Sequence, residues 1–422
     1  MLNKSPFAAL LITLSSLPVG AADWLSSGYL KSYGLFQDAV NSSLSNDSSS
    51  LQSQNALRLM GNYFADQANV EVHYEVLPLY SNHDLGAYNT RVLGQTLTRA
   101  SNSYRFKDFS ATLIDGSTNA LVLQNLDRLN VQFNRDWGDI TIGRQVVSFG
   151  SARFINPTDI FIPYALQTLN QEYRIGIDAV RTQIAVGDFS TLDLGLIIGA
   201  DAKKQNSAAF VRYQQSIAGN DIEAIIIHLN DASLYGIGLE RALGDFGIWF
   251  ESAWLDARGD KVDIHAQAEG DSPAIQPEFV DSYWRMSLGF DYALTEKLYV
   301  ATEYHQNGAG SDNPDDYVSL AQSAPYQRGG VYLFGKHYLI PSLSYQFSAL
   351  TVFSGSVFAN LSDQSIFYQI KMERSWSDNL YSDLGIYLSQ GDDIYPENGG
   401  IKLGSEFGAY PPSIYASIRY YF

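Results

Sequence analysis

Most of the chain from residue 26 onward is written in short segments whose side chains alternate in polarity with a period of two. Val70, Val72, Tyr74 and Val76 alternate with Glu71, His73 and Glu75, and Leu129, Val131 and Phe133 with Arg128, Asn130, Gln132 and Asn134. Successive side chains of a β-strand point to opposite faces, so such segments are strands with one apolar and one polar face. The links between them fall into two alternating classes. Tight turns such as Asp66-Gln67, Asp136-Trp-Gly-Asp139, Gly187-Asp-Phe-Ser190 and Ala218-Gly-Asn-Asp221 follow every second strand; most of the other links are longer and polar. A soluble β-sandwich or solenoid has no reason to sort its links this way, and no repeat of fixed 20–50-residue period appears.

The count of such segments is about 18, with 16 as the alternative, beginning near Ser26–Phe36 and ending on Ser413–Phe422. In the last segment Ile414, Ala416, Ile418, Tyr420 and Phe422 oppose Ser413, Tyr415, Ser417, Arg419 and Tyr421. A terminal strand is a poor free edge; pairing with the first strand would close the sheet. The polar faces carry charge, including Glu71, Glu75, Arg128, Arg212, Glu251, Arg285 and Glu303, while the apolar faces are continuous and aromatic, as in Trp284, Met286, Leu288, Phe290 and Tyr292. That is the inverse of a soluble barrel. An 18-stranded barrel is too wide for side chains alone to fill. The expected fold is therefore an all-β transmembrane antiparallel barrel with lipid outside, water inside, short periplasmic turns and long outer loops.

The first 22 residues read as an export signal. Lys4 precedes the apolar run Phe7–Val19, and Val19-Gly20-Ala21 or Gly20-Ala21-Ala22 supplies a small-residue cleavage site. The run is too short for a membrane-spanning helix. Domain organisation is accordingly 1–22 as leader and 23–422 as one barrel. There is no cysteine, so disulfides, thiolate metal sites and cysteine nucleophiles are excluded. A net charge of −18 argues against a nucleic-acid partner. The 28 tyrosines suit interfacial girdles. The six histidines show no metal-ligand spacing, and Asp312-Asn-Pro-Asp-Asp316 lacks the glycine and glutamate of an EF-hand loop and reads as a solvated turn.

The densest chemistry lies in Gly143–Pro163, leading into the third long link. Gly143 and Gly150 permit close backbone approach, and Asn156-Pro-Thr-Asp159 is turn chemistry. Phe154, Ile155, Ile160, Phe161 and Ile162 are too apolar for a loop in water, so residues 150–175 are expected to fold into the barrel and narrow it. Arginines 128, 144, 153, 174 and 181 cluster around this stretch with Asp159 and Glu172 among the nearby acids. Arginine recognises carboxylate and phosphate in a bidentate way. Such groups also pair with one another across a barrel wall and stiffen it.

With the leader, the two-faced strands, the terminal Phe422 and the inward third loop, the chain resembles bacterial outer-membrane porins. Gly143-Arg144-Gln145 with Gly150 looks like the alginate-export and related 18-strand substrate-specific porins. The resemblance implies a passive channel for small polar solutes, anionic ones above all, in the bacterial outer membrane, with no catalytic residues and no cofactor. It implies Arg128, Arg144, Arg153, Arg174 and Arg181 as pore-lining groups, with Asp159 and Glu172 as counter-charges. Partners would be outer-membrane lipid and lipopolysaccharide and the solutes, and the assembly a monomer or homotrimer. It also implies that Phe422 serves assembly. The competing readings are a non-transporting scaffold, such as an adhesin or an electron-conduit sheath, and an outer-membrane enzyme. No Gly-x-Ser-x-Gly elbow supports the last.

Overall fold

The computed structural model describes residues 23–39, 49–83, 104–107, 109, 111–117, 119–161, 166–167, 169, 172–229, 232–256, 282–327, 330–397 and 400–422. The expected leader, 1–22, lies outside them. Nineteen strands share one sheet: β1 (Asp23–Gln37), β2 (Ser50–Ala65), β3 (Ala68–Ser81), β4 (Ala111–Ser117), β5 (Ala120–Arg135), β6 (Gly138–Gln145), β7 (Ile177–Gly187), β8 (Ser190–Ile197), β9 (Ala208–Ile217), β10 (Asn220–Leu229), β11 (Ala232–Leu243), β12 (Phe246–Asp256), β13 (Ser282–Ala293), β14 (Leu298–Asn307), β15 (His337–Ser348), β16 (Thr351–Asn360), β17 (Ile366–Ser377), β18 (Leu380–Gln390) and, last in the chain, β21 (Ser413–Tyr421). A separate hairpin, β19 (Ile394–Glu397) and β20 (Gly400–Leu403), precedes β21.

Pairing is antiparallel and sequential around the ring, β1 to β2 to β3 to β5 and on to β18, and β21 pairs with both β18 and β1. The seam runs from Tyr29 opposite Tyr421 to Gln37 opposite Ser413. Eighteen strands thus close without a free edge, as the alternation predicts. The nineteenth, β4, was hidden in the link 81–120. It pairs with residues Ala120–Gln124 of β5, beyond the Leu129–Arg135 stretch that β6 uses, and so extends the wall above β6. One end of the barrel carries tight turns, seven of two residues and one of four (294–297); the other carries the long links and the 391–412 segment.

The faces are inverted relative to a soluble protein. Outward side chains are apolar and bare, with Leu30, Ile226, Ile237 and Ile418 each half-exposed or more, while inward Lys31, Arg58, Glu251 and Glu303 are almost wholly buried. Water cannot sit against such a band without cost, at about 25 cal/mol per Å² of apolar surface. Aromatic residues gather near the turn end, where Phe246 stacks on Tyr292 at 4.4 Å and Trp24 lies 6.4 Å from Tyr63.

Two local departures from regular pairing matter. Pro78 interrupts the β2–β3 register, which skips from Gln54–Leu79 to Leu57–Val76. Proline has no N–H for the ladder. Asn55 spans the gap, donating from Nδ2 to the Pro78 carbonyl at 3.3 Å and accepting from Ser32 Oγ at 2.7 Å. In β5 a bulge inserts Asp127, so that His73 faces Arg128 while Tyr74 faces Leu126. The extra residue puts Asp127 and Arg128 together on the inner side.

Among the described residues, the two larger apolar cores of the interior are built around the β6–β7 segment, and a smaller one joins its Ala152 to Trp249 and Ala301. Val147, Phe149, Ile160 and Phe161 pack with Ile177, Phe210, Ile225 and Leu234, and Ile155 and Leu166 pack with Tyr338, Ile340, Phe358 and Phe367. At the long-link end, Tyr317, Leu320, Phe334 and Leu403 join the 308–336 segment to the β19–β20 hairpin.

Candidate lumen site

Inward cations occupy consecutive sectors of one arc of the wall: Arg419 on β21, Lys31 on β1, Arg58 on β2, Arg128 on β5, Arg144 on β6, Arg181 on β7 and Arg212 on β9. Each has a carboxylate. Arg419 donates to Glu373 at 2.8 Å and Asp383 at 2.9 Å. Asp127 accepts from Arg58 and Arg128, both at 2.5 Å, and from the Gly176 N–H at 2.9 Å. Arg144 holds Asp178 in a bidentate pair at 2.8 and 3.0 Å and also donates to the carbonyls of Leu126 and Lys107. Arg181 grips Asp193 at 2.9 and 2.6 Å, and Arg212 lies 3.1 Å from the same carboxylate. Buried charges in so low a dielectric are tolerated only when paired and hydrogen-bonded.

The facing arc, β10 to β14, is acidic: Glu223, Glu240, Glu251 and Glu303 point inward there, with Arg285 between them. Glu251 and Glu303 find their donors in the β6–β7 segment. Glu251 accepts the N–H groups of Ser151 at 2.8 Å, Ala152 at 2.9 Å and Thr158 at 2.8 Å, and the Thr158 hydroxyl at 2.7 Å. Glu303 accepts the N–H groups of Arg153, Phe154 and Ile155 at 2.9–3.2 Å and the Trp249 indole N–H at 2.9 Å. Successive N–H groups converging on an oxygen form an anion-binding concavity. The turn that folds them inward needs Gly150, at φ +108°, where a Cβ would lie 2.3 Å from the Asn156 side chain. Ser287 and Arg285 then donate to the carbonyls of Ile155 and Pro157.

The same segment returns along the cationic arc. Glu172 accepts from Lys31 at 2.5 Å and from the Tyr421 hydroxyl at 2.7 Å. Burial works to raise the Glu172 pKa, but these two donors hold it below the ordinary carboxylate range. Lys31 sits over the Tyr29 ring at 4.0 Å, and Arg58 over Tyr173 at 4.5 Å. Arg128 donates to the Arg174 carbonyl at 2.5 Å. One ion pair, Arg174 to Asp159, links the returning limb to the outgoing one. Burial pushes the Asp159 carboxyl up to about 6 in spite of Arg174.

The seven residues singled out from sequence therefore divide. Arg128 and Arg144 are 3% exposed and enclosed by their partners, and Arg181 is mostly so. Arg153 and Arg174 keep 47% and 29% of their side chains exposed; Arg153 reaches Glu240 at 2.8 Å and covers the Trp249 ring. Asp159 and Glu172 are tied to Arg174 and Lys31. Sequence reasoning missed Lys31 and Arg58, read Asp127 only as one of several acids near the arginines, and read Glu251 and Glu303 only as polar-face residues. Their signal was an inward strand position, which many residues share.

The fold is similar to that of Acinetobacter baumannii OccAB2 over 95% of this chain and 98% of that one, with a TM-score of 0.57 at 8% identity. Acinetobacter baumannii OccAB3 matches at 0.56 and 9% identity over 95% and 99% of the two chains. Pseudomonas aeruginosa OccK7 matches at 0.51 and 11% over 95% and 98%. No protein-family model and no curated protein matches the chain by sequence.

Proposed function

We propose that the chain is a bacterial outer-membrane channel through which small polar, mainly anionic solutes diffuse passively. The observation that carries this is the inversion of the barrel: 18 closed strands with an apolar outer band around an interior lined with charge. A closed barrel satisfies every ladder hydrogen bond and so is one of the two structures able to span lipid. The N-terminal 22 residues act as the export leader, and the apolar band meets membrane lipid and lipopolysaccharide.

Residues 150–175 form the constriction. Arg153 and Arg174 are the groups that meet the solute, since their side chains retain exposed surface. Arg128, Arg144 and Arg181 supply the positive field behind them, and Asp159 and Glu172 set how much of it reaches the lumen. The test is reversal potential in planar bilayers under a salt gradient. A unit charge about 4 Å away is worth about 1 kcal/mol in water, favourable to an anion and unfavourable to a cation, so Arg153→Ala or Arg174→Ala should each lower the anion-to-cation permeability ratio at least about fivefold. Unchanged ratios in both would remove the arginine reading, and absence of stepwise conductance in the parent protein would remove the channel.

A further inference from the structure

Beside the Arg153–Glu240 ion pair and the Arg285 bond to the Pro157 carbonyl, the third long link is anchored to the acidic arc by two carboxylates whose hydrogen bonds come from uncharged donors. Glu251 and Glu303 are 1% and 0% exposed. Their contacts are with the N–H groups of residues 151–155 and 158, the Thr158 hydroxyl and the Trp249 indole. Six main-chain N–H groups of one eight-residue stretch thus converge on two carboxylates carried by β12 and β14. The strands are hydrogen-bonded into the closed wall on both sides, whereas the segment enters this face as a loop. The fixed partner is therefore the pair of glutamates, and the positioned one is the loop.

We propose that Glu251 and Glu303 are positioning residues that clamp residues 151–158 against the acidic arc, and that the clamped loop in turn masks their two negative charges from the lumen. The clamp then acts on the aperture and on the ion selectivity of the channel together. This deepens the channel reading and rests on it for the electrical consequence, but the clamp itself does not. Charge-assisted bonds to a carboxylate are about twice as strong as neutral ones. An amide in place of each carboxylate keeps the shape and replaces one acceptor oxygen with a donor, which would face N–H groups. Lifting the loop would uncover two carboxylates on an arc that already carries Glu223 and Glu240, so an unclamped pore should be wider and more cation-selective.

The first measurement needs no conductance. Hydrogen exchange on the whole detergent-purified chain should show the amides of Ser151–Ile155 and Thr158 protected in the parent and exchanging at least tenfold faster in Glu251→Gln and Glu303→Gln. Amides of the β1–β21 seam should be unchanged in the same samples, which reports that the variants are folded. Equal protection in parent and variants overturns the clamp. The second measurement separates the mask from the clamp in bilayers. Deleting residues 151–158 with both glutamates kept should raise conductance and shift the reversal potential toward cations. The same deletion combined with Glu251→Gln and Glu303→Gln should raise conductance to the same level without that shift. Identical reversal potentials in the two deletion proteins overturn the mask. A parent protein that gives protected amides and no conductance would defeat the channel reading while leaving the clamp standing.

Discussion

Asp159 and Arg174 show how much one pair can decide in this interior. The carboxyl is buried and its pKa is pushed up to about 6. It lies above the value for an unfolded chain, so the folded state holds the proton more tightly; the stabilisation from proton binding is complete below about pH 4 and is lost as pH rises through about 6. Above that, Asp159 is ionised and neutralises Arg174; below it, Arg174 faces the lumen uncompensated. In the proposed channel the anion-to-cation permeability ratio should therefore rise as pH falls from 7 to 5, and Asp159→Asn should hold the low-pH ratio throughout. A titration that is the same in both proteins would place the responsible group elsewhere. Asp127 predicts a different outcome. It is enclosed by Arg58, Arg128 and the Gly176 N–H, and removing one partner of such a cluster costs about 3–5 kcal/mol because charge is left buried and unpaired. Asp127→Ala should lower the unfolding midpoint markedly in a thermal or denaturant series, whereas Arg153→Ala, at a half-exposed site, should leave it almost unchanged.

The strands repeat a period-two pattern that is hard to satisfy in any other way, which is why the barrel, its count and its closure were legible from the chain. The terminal strand illustrates the physics. Phe422 exchanges two main-chain hydrogen bonds with Gly28, at 2.8 and 3.0 Å, and its ring fills the space above that glycine, where a Cβ would lie 2.6 Å from the ring. Deleting Phe422 removes both bonds, each worth about 0.5–1.5 kcal/mol, and bares the notch. The yield of heat-modifiable folded barrel should fall, while the selectivity of those pores that form stays at the parent value; altered selectivity would show that the seam shapes the lumen. Other elements were not legible, for definite reasons. The β4 strand is seven residues on one partner and lies in a link whose polarity resembles the other loops. The bulge at Asp127 is a matter of register, which composition does not encode. Glu251 and Glu303 look like any inward polar residue until the loop that crosses to them is in place. The inward arginines could be named from the pattern, but which of them keep exposed surface depends on contacts over a hundred residues apart in sequence, such as Arg153 with Glu303.

At the scale of the whole molecule, the wall is a continuous hydrogen-bonded ring that leads at one end into the long links. There the 308–336 and 391–412 segments meet over a single buried carboxylate. Glu406 accepts from the N–H groups of Phe334 at 3.0 Å and Gly335 at 3.3 Å, from Asn360 Nδ2 at 2.9 Å and from the Tyr338 hydroxyl at 2.5 Å. Its own N–H donates to Asp363, which also accepts from the Tyr317 hydroxyl. Burial, with Asp363 nearby, pushes the Glu406 carboxyl up to about 8. The groups facing it are thus two tyrosines, an amide and a second acid. Because the folded pKa exceeds the unfolded one, the closed arrangement takes up the proton, and its advantage over an opened one declines as pH rises from about 4.5 to about 8. For one proton the ratio of closed to opened forms should fall about tenfold per pH unit across that window and level off above it. Hydrogen exchange of the Phe334 and Gly335 amides, with the intrinsic pH dependence divided out, should follow that slope in the parent protein. Glu406→Gln should abolish the slope, leaving protection independent of pH between 5 and 9. If the two proteins lose protection in parallel, the joint between these segments depends on some other group, and the packing of Tyr317, Leu320, Phe334 and Leu403 becomes the element that holds the end of the barrel together.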